Sequence, residues 1–396
     1  MSSDNEDLPA SVTSVASAKA DPTAPTLATW LAWPLDTPVK NAIDRALHAD
    51  DVVHVAVMPD VHLATDVCVG TAMATRRLVY PSAVGGDIGC GMLAIAFDAT
   101  ADLLQDADRA GQLLRAIGRR VPSHRRHRTA RLPMPVDCVA SDLSHPALVA
   151  AAGDDGGLQF GTLGGGNHFV ELQADEDDRL WLMIHSGSRA MGQVVRSHHV
   201  ARATRGATMP LLDTETDLGQ AYLNDQDWAR RYARGNRIAM AEQVCEAIHE
   251  LTGVTRIESS LIECDHNHVR REAHFGESLL VHRKGATPAD DGLAGVVPGS
   301  MGTTSVHIVG RGEPQSLRSS AHGAGRQMSR TVARERFGRH EVRRQMADVW
   351  YDPRILDAMR EESPKAYKDL RAVLKAQEPL MKVTRRLRPL LVYKGS

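Results

Sequence analysis

Four short turns rich in glycine or polar residues carry side chains that can bind a metal ion. Asp87 and Cys90 lie three residues apart in a loop with four glycines, and His168, His185 and His266 occupy three further turns beside strand-like apolar runs. Thiolate is a soft ligand, imidazole suits borderline divalent ions, and carboxylate suits Mn²⁺ or Mg²⁺. Together these five residues favour a transition-metal site, and two ions sharing the thiolate is one arrangement that fits.

Each of these histidines also has a simpler interpretation. A lone histidine is more often a satisfied polar residue than a ligand. Four turns of the same kind shift that balance towards a shared site, although spacing along the chain carries no distances. The glycines permit positive φ and close backbone approach, which lets several side chains point to one place.

Two further turns have the composition of a nucleotide site. In "SSAHGAGRQMSR" His322 is a potential nucleophile, and Gly323 and Gly325 would let a nucleotide approach the backbone; the alternative is a polar residue at the start of a helix. In "VVPGSMG" the turn around Ser300 could expose backbone N–H groups to an anion, with Arg283 and Lys284 nearby in the sequence. A plain Pro-Gly-Ser turn is the alternative there.

The segment 119–131 contains six arginines, two histidines and no acidic residue. Prolines at 122 and 133 predict a loop, and its charge makes it a candidate polyphosphate contact. Within it, Arg125, Arg126 and Arg128 are the expected contacts. A solvated basic loop remains the alternative.

The elements that must position these turns predict an α+β fold. The sequence indicates a buried strand over residues 52–57, helices over 101–120 and 217–252, strand-like runs near 260, 279 and 306, and a helical section over 329–385. We expect a single large domain over residues 29–396, with central β-sheets flanked by helices and the active site at glycine-rich strand ends. Residues 1–28, rich in Ala, Ser, Thr, Asp and Pro, are expected to form a disordered tail.

Composition narrows the class of protein further. The 47 basic and 49 acidic residues give a formal net charge of −2, so any site for a polyanion must be local. Aromatic residues make up 4%, which weakens a reading based on stacking of bases. The five cysteines show no pairing pattern and no signal peptide is visible, so we expect a reduced, cytoplasmic protein. The sequence contains no run of about 18 apolar residues, so we expect no membrane span.

Taken together, the motifs resemble one family, the RtcB-type RNA-splicing ligases. The matching phrases follow one another from residue 58 to residue 395: "MPDVH", "GGDIGCG", "GTLGGGNHF", "HSGSR", "HNHVRREAHFGE", "RKGA", "PGSMG", "HGAGRQMSR", "AYKD" and "VYKG". Each is short, but ten in order cover nearly all of the globular chain. Departures such as Ala190 in "HSGSRAMG" remove no ligand and leave RNA-end preference open.

The resemblance implies a role for each residue of the site. It implies His322 as the histidine that carries GMP covalently. It implies two Mn²⁺ ions bridged by Cys90 and held by Asp87, Cys90, His168, His185 and His266. It implies phosphate contacts from Asn167, Asn267, Arg189 and Arg326, and guanine-nucleotide contacts from Glu171, Ser300, Tyr367 and Lys394.

The reaction implied is GTP-dependent joining of an RNA 3′-phosphate or 2′,3′-cyclic phosphate to a 5′-hydroxyl, in tRNA splicing or RNA repair. The expected partners are RNA (tRNA halves or broken ends), GTP and an archease-like activator, with the chain acting as a monomer and without a membrane. Two other classes of protein stay open at this point. One is a dinuclear phosphoesterase, which would need neither His322 nor Lys394. The other is a catalytically silent RNA-binding relative, but the presence of every candidate metal ligand argues against it.

Overall fold

Two β-sheets position the candidate site, and the computed structural model describes them within residues 24–395. One sheet has five strands in the order β1-β2-β3-β12-β11, and the other has seven in the order β10-β5-β7-β6-β17-β15-β14. The strands are β1 Thr26–Thr29, β2 Val52–His62, β3 Val69–Thr75, β4 Leu78–Val79, β5 Gly91–Thr100, β6 Phe169–Ala174, β7 Arg179–Ser186, β8 Thr204–Arg205, β9 Pro210–Asp213, β10 Arg256–Asp265, β11 Asn267–His274, β12 Glu277–Lys284, β13 Ala286–Pro288, β14 Ala294–Val297, β15 Ser305–Gly310, β16 Ser319–Ala321 and β17 Met381–Tyr393.

Helices cover the sheets, and the whole is one mixed α+β domain, as the sequence predicts. None of the helices within residues 24–395 combines the length and the apolar character needed to cross a membrane. The helices are α1 Thr37–Leu47, α2 Ala107–Arg120, α3 Pro146–Ala151, α4 Gly157–Gln159, α5 Ala190–Val200, α6 Asp217–Thr252, α7 Arg330–Arg336, α8 Arg339–Gln345 and α9 Leu370–Ala376.

The long helix α6 has the predicted ends, residues 217 and 252. The Thr216 side chain accepts a hydrogen bond from the Gly219 N–H, which caps the first turn, and Gly253 ends the helix with φ 74°. Trp228 and Tyr232 stack with ring centroids 5.5 Å apart and are fully buried. The inner face of α6 packs with α2 against β5 and β7, and this places polar residues of α6 behind the candidate site.

Antiparallel pairing in the seven-stranded sheet explains how distant turns meet. Strands β10, β5, β7, β6 and β17 are neighbours, and each runs opposite to the next. One row of strand ends, which we call an edge of the sheet, therefore contains the end of β10, the start of β5, the end of β7, the start of β6 and the end of β17. His266, Cys90, His185, His168 and Lys394 lie at those five positions.

The five-stranded sheet brings a second set of residues to the same place. At one of its edges lie the end of β2, the start of β3, the end of β12 and the start of β11. Strand β11 begins directly after His266, which itself follows β10 of the other sheet. His266 therefore stands where the chain crosses between the sheets, and the two edges face one site.

The structure corrects three expectations about the elements. Residues 1–23 of the expected tail lie outside the described residues, whereas Thr26–Thr29 pair with β2 as a parallel strand, so the boundary at 28 falls inside a strand. The expected helical section 329–385 is broken into short helices and 3₁₀ turns, with prolines at 353 and 364. Its last residues belong instead to β17, whose partners β15 and β6 come from elsewhere in the chain.

Candidate active site

The five expected metal ligands converge at the shared edge of the two sheets. Cys90 Sγ lies 3.3 Å from His185 Nε2 and 3.4 Å from His168 Nε2, and His168 Nε2 lies 2.9 Å from Asp87 Oδ2. The donor atoms form two sets, within each of which they lie within 4.8 Å of one another: Cys90 with His185 and His266, and Asp87 with Cys90 and His168. Because both sets contain Cys90, the donors fit two metal ions that share its sulfur.

Protonation of these groups also fits metal binding. Burial lowers the pKa of His185 and His266 well below the ordinary imidazole value, so both rings are neutral, as a metal requires. Burial raises the pKa of Asp87, but the charge and hydrogen bond of His168 outweigh it and bring that pKa to about 2. Burial and the Asp87 charge raise the pKa of the Cys90 thiol, so a thiolate at this position requires a bound cation.

Backbone contacts orient the ligand rings. The Nδ1 atom of His185 lies 3.2 Å from the carbonyl oxygen of Asn167, and donation of its proton there leaves Nε2 free to face Cys90. The ring of His266 lies 5.3 Å from that of His185 and 4.7 Å from that of His322. His322 is therefore adjacent to the candidate metal ligands.

Two buried residues of α6 hold the metal-binding turns. The Arg237 guanidinium donates to the carbonyl oxygens of Gly89 (2.7 Å) and Ser186 (2.8 Å), next to the Cys90 and His185 turns, and it pairs with Glu263. Asn236 accepts a hydrogen bond from the Gly161 N–H (2.7 Å) at the start of the turn before His168. These contacts hold the ligand-bearing turns against α6.

His322 follows strand β16 and does not begin a helix, because the next helix, α7, starts at Arg330 with Ser329 as its cap. Its Nδ1 atom lies 2.7 Å from Asp60 Oδ2, and its backbone N–H donates to the same oxygen at 3.2 Å. Asp60 is fully buried, whereas the His322 side chain is 13% exposed. The carboxylate therefore holds one side of the ring and leaves the Nε2 side open.

Gly325, three residues after His322, packs against the residue that contacts His322. Gly325 has φ +73°, and a Cβ there would lie 2.3 Å from the Asp60 carbonyl oxygen, so a side chain at this position would displace Asp60. Gly285 has φ +62°, and a Cβ there would lie 3.1 Å from His322 Cε1. Gly285, which follows β12, and Gly325, in the turn after β16, thus pack directly against the Asp60–His322 pair.

Two of the expected nucleotide residues meet because β6 and β17 are paired. Glu171 lies in β6 and Lys394 directly follows β17; both are buried. Burial raises the Glu171 pKa to about 8, against the hydrogen bond from Gln173 and the charge of Lys394. Lys394 Nζ donates to the His168 carbonyl oxygen at 3.3 Å, which links this pair to the metal-binding turn.

Tyr367 and Arg326 form a second part of that region, held by a residue that the sequence analysis missed. Buried Glu362 accepts hydrogen bonds from Arg326 Nη1 (2.8 Å), Arg330 Nε (2.8 Å) and the Tyr367 hydroxyl. Arg326 also donates to the carbonyl oxygens of Glu361 and Met328, so its guanidinium faces protein acceptors and not a phosphate. Arg330, half-exposed, is the arginine of this pair left with free donors in the cleft.

The turn around Ser300 is closed by its own side chains. The Ser300 N–H donates to Thr303 Oγ1 at 2.8 Å, and the Gly299 N–H donates to Ser305 Oγ at 3.2 Å. These N–H groups are therefore not available to an anion, although Ser300 itself lines the cleft. Arg283 is fully buried and paired with Glu272, so it supplies no charge to the turn.

The remaining expected phosphate contacts surround Asp87. Asn267 donates to the Asp87 carbonyl oxygen (3.1 Å) and accepts from the Gly285 N–H (2.8 Å), which ties together the two sheet edges. Asn167 is exposed at the cleft. Arg189 has φ 58° and ψ −143°, a strained conformation for a residue with a side chain, and its charge lowers the pKa of Asp87.

One cleft of about 2520 Å³ connects these groups. Of the expected site residues, it is lined by Asp87, Cys90, Asn167, His185, His266, Asn267, Ser300, His322, Arg326, Tyr367 and Lys394. His168, Glu171 and Arg189 lie behind that lining. Lys284 also faces the cleft; burial lowers its pKa to about 8, and Nζ donates to the Thr65 carbonyl oxygen at 3.0 Å.

The arginine-rich loop lies outside the cleft lining but supports the site. Arg126 donates to the carbonyl oxygens of Phe160, Arg120 and Gly161, which makes it a structural residue in place of the expected RNA contact. Arg125 pairs with Asp155 at 3.0 Å, and Arg128 is exposed. The loop backbone accepts hydrogen bonds from residues 163 and 164, in the turn that leads to the metal ligand at 168.

Asp60, Arg237 and Glu362 are thus the functional candidates that sequence reasoning missed. Asp60 stands inside "MPDVH", one of the phrases that carry the family resemblance, and that was the available signal. Arg237 and Glu362 occur in ordinary helical or turn sequence, and only their burial and their partners distinguish them.

Comparisons with known proteins agree with this geometry. A family model described as tRNA-splicing ligase RtcB matches residues 43–145 and 137–395. The RNA-splicing ligase RtcB of Escherichia coli K12 is 36% identical over 376 residues, which cover 86% of this chain and 90% of the relative. A tRNA-splicing ligase RtcB of Nanoarchaeum equitans is 29% identical over 426 residues, covering 87% of this chain and 88% of the relative.

Proposed function

The chain belongs to the RtcB family, and on this premise we propose that it is a GTP-dependent RNA ligase. It would join RNA ends bearing a 3′-phosphate or 2′,3′-cyclic phosphate to 5′-hydroxyl ends. The observation that carries the proposal is the placement of His322, which contacts buried Asp60 on one side and lies beside the metal-ligand rings on the other. The relatives described above, an RNA-splicing ligase and a tRNA-splicing ligase, support the same class of reaction.

In the first step His322 Nε2 attacks the α-phosphorus of GTP. A P–N bond forms, the bond from the α-phosphorus to the bridging oxygen of the β-phosphate breaks, and pyrophosphate leaves. The ring gains positive charge as it attacks, and Asp60 Oδ2, 2.7 Å from Nδ1, offsets that charge and fixes the ring orientation. The product is His322 carrying GMP as a phosphoramidate.

Asp87, Cys90, His168, His185 and His266 would hold two Mn²⁺ ions, with Cys90 as the shared ligand. Bound there, the ions would offset negative charge on the phosphates and help align attacking and departing groups. The mixed sulfur, nitrogen and oxygen donors fit Mn²⁺ among other divalent ions.

The next two steps transfer the GMP and seal the RNA. An oxygen of the RNA 3′-phosphate attacks the phosphorus of the His322-bound GMP; a P–O bond forms, the P–N bond breaks, and the RNA end becomes a diphosphate to guanosine. A 5′-hydroxyl of the second RNA end then attacks the RNA-side phosphorus, forms the phosphodiester and releases GMP. A cyclic phosphate is first opened by water to the 3′-phosphate.

Other residues in the cleft lining and directly behind it would bind the two substrates. We assign the guanine nucleotide to Glu171, Ser300, Tyr367 and Lys394, and its phosphates to Asn167, Asn267 and Arg189, with Arg326 supporting Tyr367. The RNA would be tRNA halves or broken RNA ends, with Arg125 and Arg128 as outer contacts. We also propose that the protein acts as a monomer in the cytoplasm, together with an archease-like activator.

A labelling experiment tests it. The protein is incubated with Mn²⁺ and GTP labelled on the α-phosphate, and acid-labile covalent label is measured. We expect label on the wild type and on His340→Ala, an exposed histidine outside the cleft lining, and none on His322→Ala. RNA-end hydrolysis without label would instead indicate a phosphoesterase, and neither activity would indicate a silent RNA-binding protein. Label that survives His322→Ala would refute the assignment of the nucleophile.

A further inference from the structure

The cleft is larger than a nucleotide site requires. Pockets for small molecules commonly measure about 300–1,000 Å³, whereas this cleft measures about 2520 Å³. His322, Lys394 and the metal ligands occupy one region of its lining. One further part of the lining, within residues 364–388, belongs to α9, β17 and the turns that precede them.

The charge of this lining differs from that of the whole chain. Basic and acidic residues are nearly equal in the sequence, 47 against 49. Among the residues that line the cleft, lysines and arginines outnumber aspartates and glutamates by more than two to one. A concave surface with one sign of charge concentrates a ligand of the opposite sign.

Four of these cations form what we call the cationic wall: Arg371 and Lys375 on α9, and Lys382 and Arg386 on β17. All four side chains belong to exposed residues, and within residues 24–395 none of them forms an ion pair. The acidic residues of the same segment do not neutralise them: Asp369 caps α9 by accepting the Arg371 backbone N–H, and Glu378 makes no ion pair with a described residue.

The other cations of the cleft have protein partners, and this distinguishes them from the four residues of the cationic wall. Arg326 and Arg330 pair with Glu362, Lys365 pairs with Glu341, and Arg388 pairs with Asp178. An exposed cation that pairs with a carboxylate is already part of a local charge balance. The wall residues are free to pair with an external anion.

The spacing of the wall suits a chain of phosphates. Arg371 and Lys375 are four residues apart on one helix, so their Cβ atoms lie about 5–6 Å apart. Lys382 and Arg386 are four residues apart on β17, on either side of a register shift in its pairing with β15. Leu374 and Met381 pack in one apolar cluster, which joins the helix and the strand into a continuous surface.

We propose that the cationic wall binds the phosphate backbone of the RNA strand that reaches His322, so that RNA enters the cleft along α9 and β17. This inference rests on the proposed ligase function for the identity of the anion. It places the main RNA contact within the cleft, whereas the arginine-rich loop lies outside its lining. The wall is a binding surface and takes no part in the transfer of GMP.

The test compares three paired variants of the full chain. Wall variants are Arg371→Gln/Lys375→Gln and Lys382→Gln/Arg386→Gln. The matched control is Arg109→Gln/Arg115→Gln, two exposed arginines of α2 that form no ion pair with a described residue and lie outside the cleft lining. Binding of a fluorescent single-stranded RNA with a 3′-phosphate is followed by anisotropy over a series of KCl concentrations, and covalent labelling by α-labelled GTP is measured without RNA.

We expect each wall pair to weaken RNA binding by at least about tenfold and to reduce the slope of log affinity against log salt by about 1–2, because two phosphate contacts are lost. Covalent labelling should match the wild type in every variant, and the control pair should bind RNA normally. Wild-type RNA affinity and salt slope in both wall pairs would overturn the proposal and leave the wall to an acidic protein partner. Failure of wild-type labelling would overturn the ligase proposal separately, since RNA binding is measured without GTP.

Discussion

Asp60 Oδ2 lies 2.7 Å from His322 Nδ1, although 262 residues separate the two in the chain. Asp60 stands near the end of β2, and His322 follows β16. Gly70 and Gly325 pack against Asp60 so closely that a Cβ at either position would come within 3 Å of it. The pair is therefore built into the fold, with a buried carboxylate directed at one nitrogen of the proposed nucleophile.

The first prediction concerns this pair. Asp60→Asn keeps the size of the side chain but removes the charge that offsets the imidazolium, so we expect covalent labelling by GTP to slow by at least about 100-fold. Because Asp60 does not line the cleft, the affinity for GTP should stay close to that of the wild type. Rapid-quench labelling gives the rate, and titration with GTP gives the affinity.

Asp66→Asn is the matched control, since Asp66 lies just after β2, in its connection to β3, and contacts Arg196 at 3.7 Å. It should label at the wild-type rate. A wild-type rate in Asp60→Asn would show that the carboxylate does not assist His322.

Cys90 provides the second prediction, because both ligand sets contain it. Cys90→Ala removes a donor from each set, and we expect Mn²⁺ affinity to fall by at least roughly 100-fold, more than the loss of an outer-sphere partner causes. Covalent labelling and opening of the cyclic phosphate should both be lost. Cys245→Ala, a buried cysteine of α6 outside both sets, should bind Mn²⁺ normally. Mn²⁺ retained at wild-type stoichiometry by Cys90→Ala would contradict the shared-ligand arrangement.

The third prediction concerns Glu362, which accepts hydrogen bonds from Arg326, Arg330 and Tyr367. Glu362→Gln removes the charge that pairs with two arginines in a buried setting, so we expect a loss of about 1–3 kcal/mol in the free energy of unfolding and weaker binding of GTP. Glu361→Gln changes the neighbouring carboxylate, which pairs with half-exposed Arg334, and should cost less than about 1 kcal/mol. Urea denaturation and GTP titration measure the two effects. Equal losses in the two variants would remove any special role for Glu362.

Glu171 gives the fourth prediction, on pH dependence. Burial raises its pKa from an ordinary value of about 4.5 to about 8. Between these values the unfolded chain releases the proton and the folded protein keeps it, so this contribution to stability is complete below pH 4.5 and is lost as pH rises to about 8. The free energy of unfolding should therefore fall with pH by up to about 1.4 kcal/mol per unit.

Glu171→Gln should lack this part of the pH dependence, whereas Glu246→Gln, an exposed residue of α6, should keep it. Urea denaturation of the three proteins at several pH values between these limits makes the comparison. The same slope in wild type and Glu171→Gln would show that Glu171 ionises normally in the folded protein.

Local signals in the sequence explain what could be predicted. The helix over 217–252 has a capping threonine before it and a glycine after it, and both ends lie where the pattern places them. The metal-ligand candidates were visible because cysteine, aspartate and histidine beside glycines at strand ends are chemically distinctive. These residues converge because five strands are neighbours in antiparallel order. The spacing of the residues along the chain does not reveal that order.

What could not be predicted depends on partners distant in sequence. Residues 381–393 form a strand because β15 and β6 pair with it, and neither partner is adjacent to this segment in the sequence. Arg326 was expected to face phosphate, but the carboxylate of Glu362 and the carbonyl oxygen of Glu361 occupy its guanidinium. Charge in a sequence indicates what a residue can bind, and the fold decides which acceptor is near.

The arginine-rich loop gives the last prediction, because its three central arginines have different surroundings. Arg126 donates to three backbone carbonyl oxygens, and Arg126→Ala leaves them without this donor, so we expect a loss of about 1–3 kcal/mol in the free energy of unfolding. Arg128 is exposed, and Arg128→Ala should leave stability within about 0.5 kcal/mol of the wild type. Urea denaturation measures both, and RNA affinity under conditions where each variant is folded should fall only in Arg128→Ala. Reduced RNA affinity in folded Arg126→Ala would restore Arg126 as an RNA contact, and equal stability of the two variants would contradict its structural role.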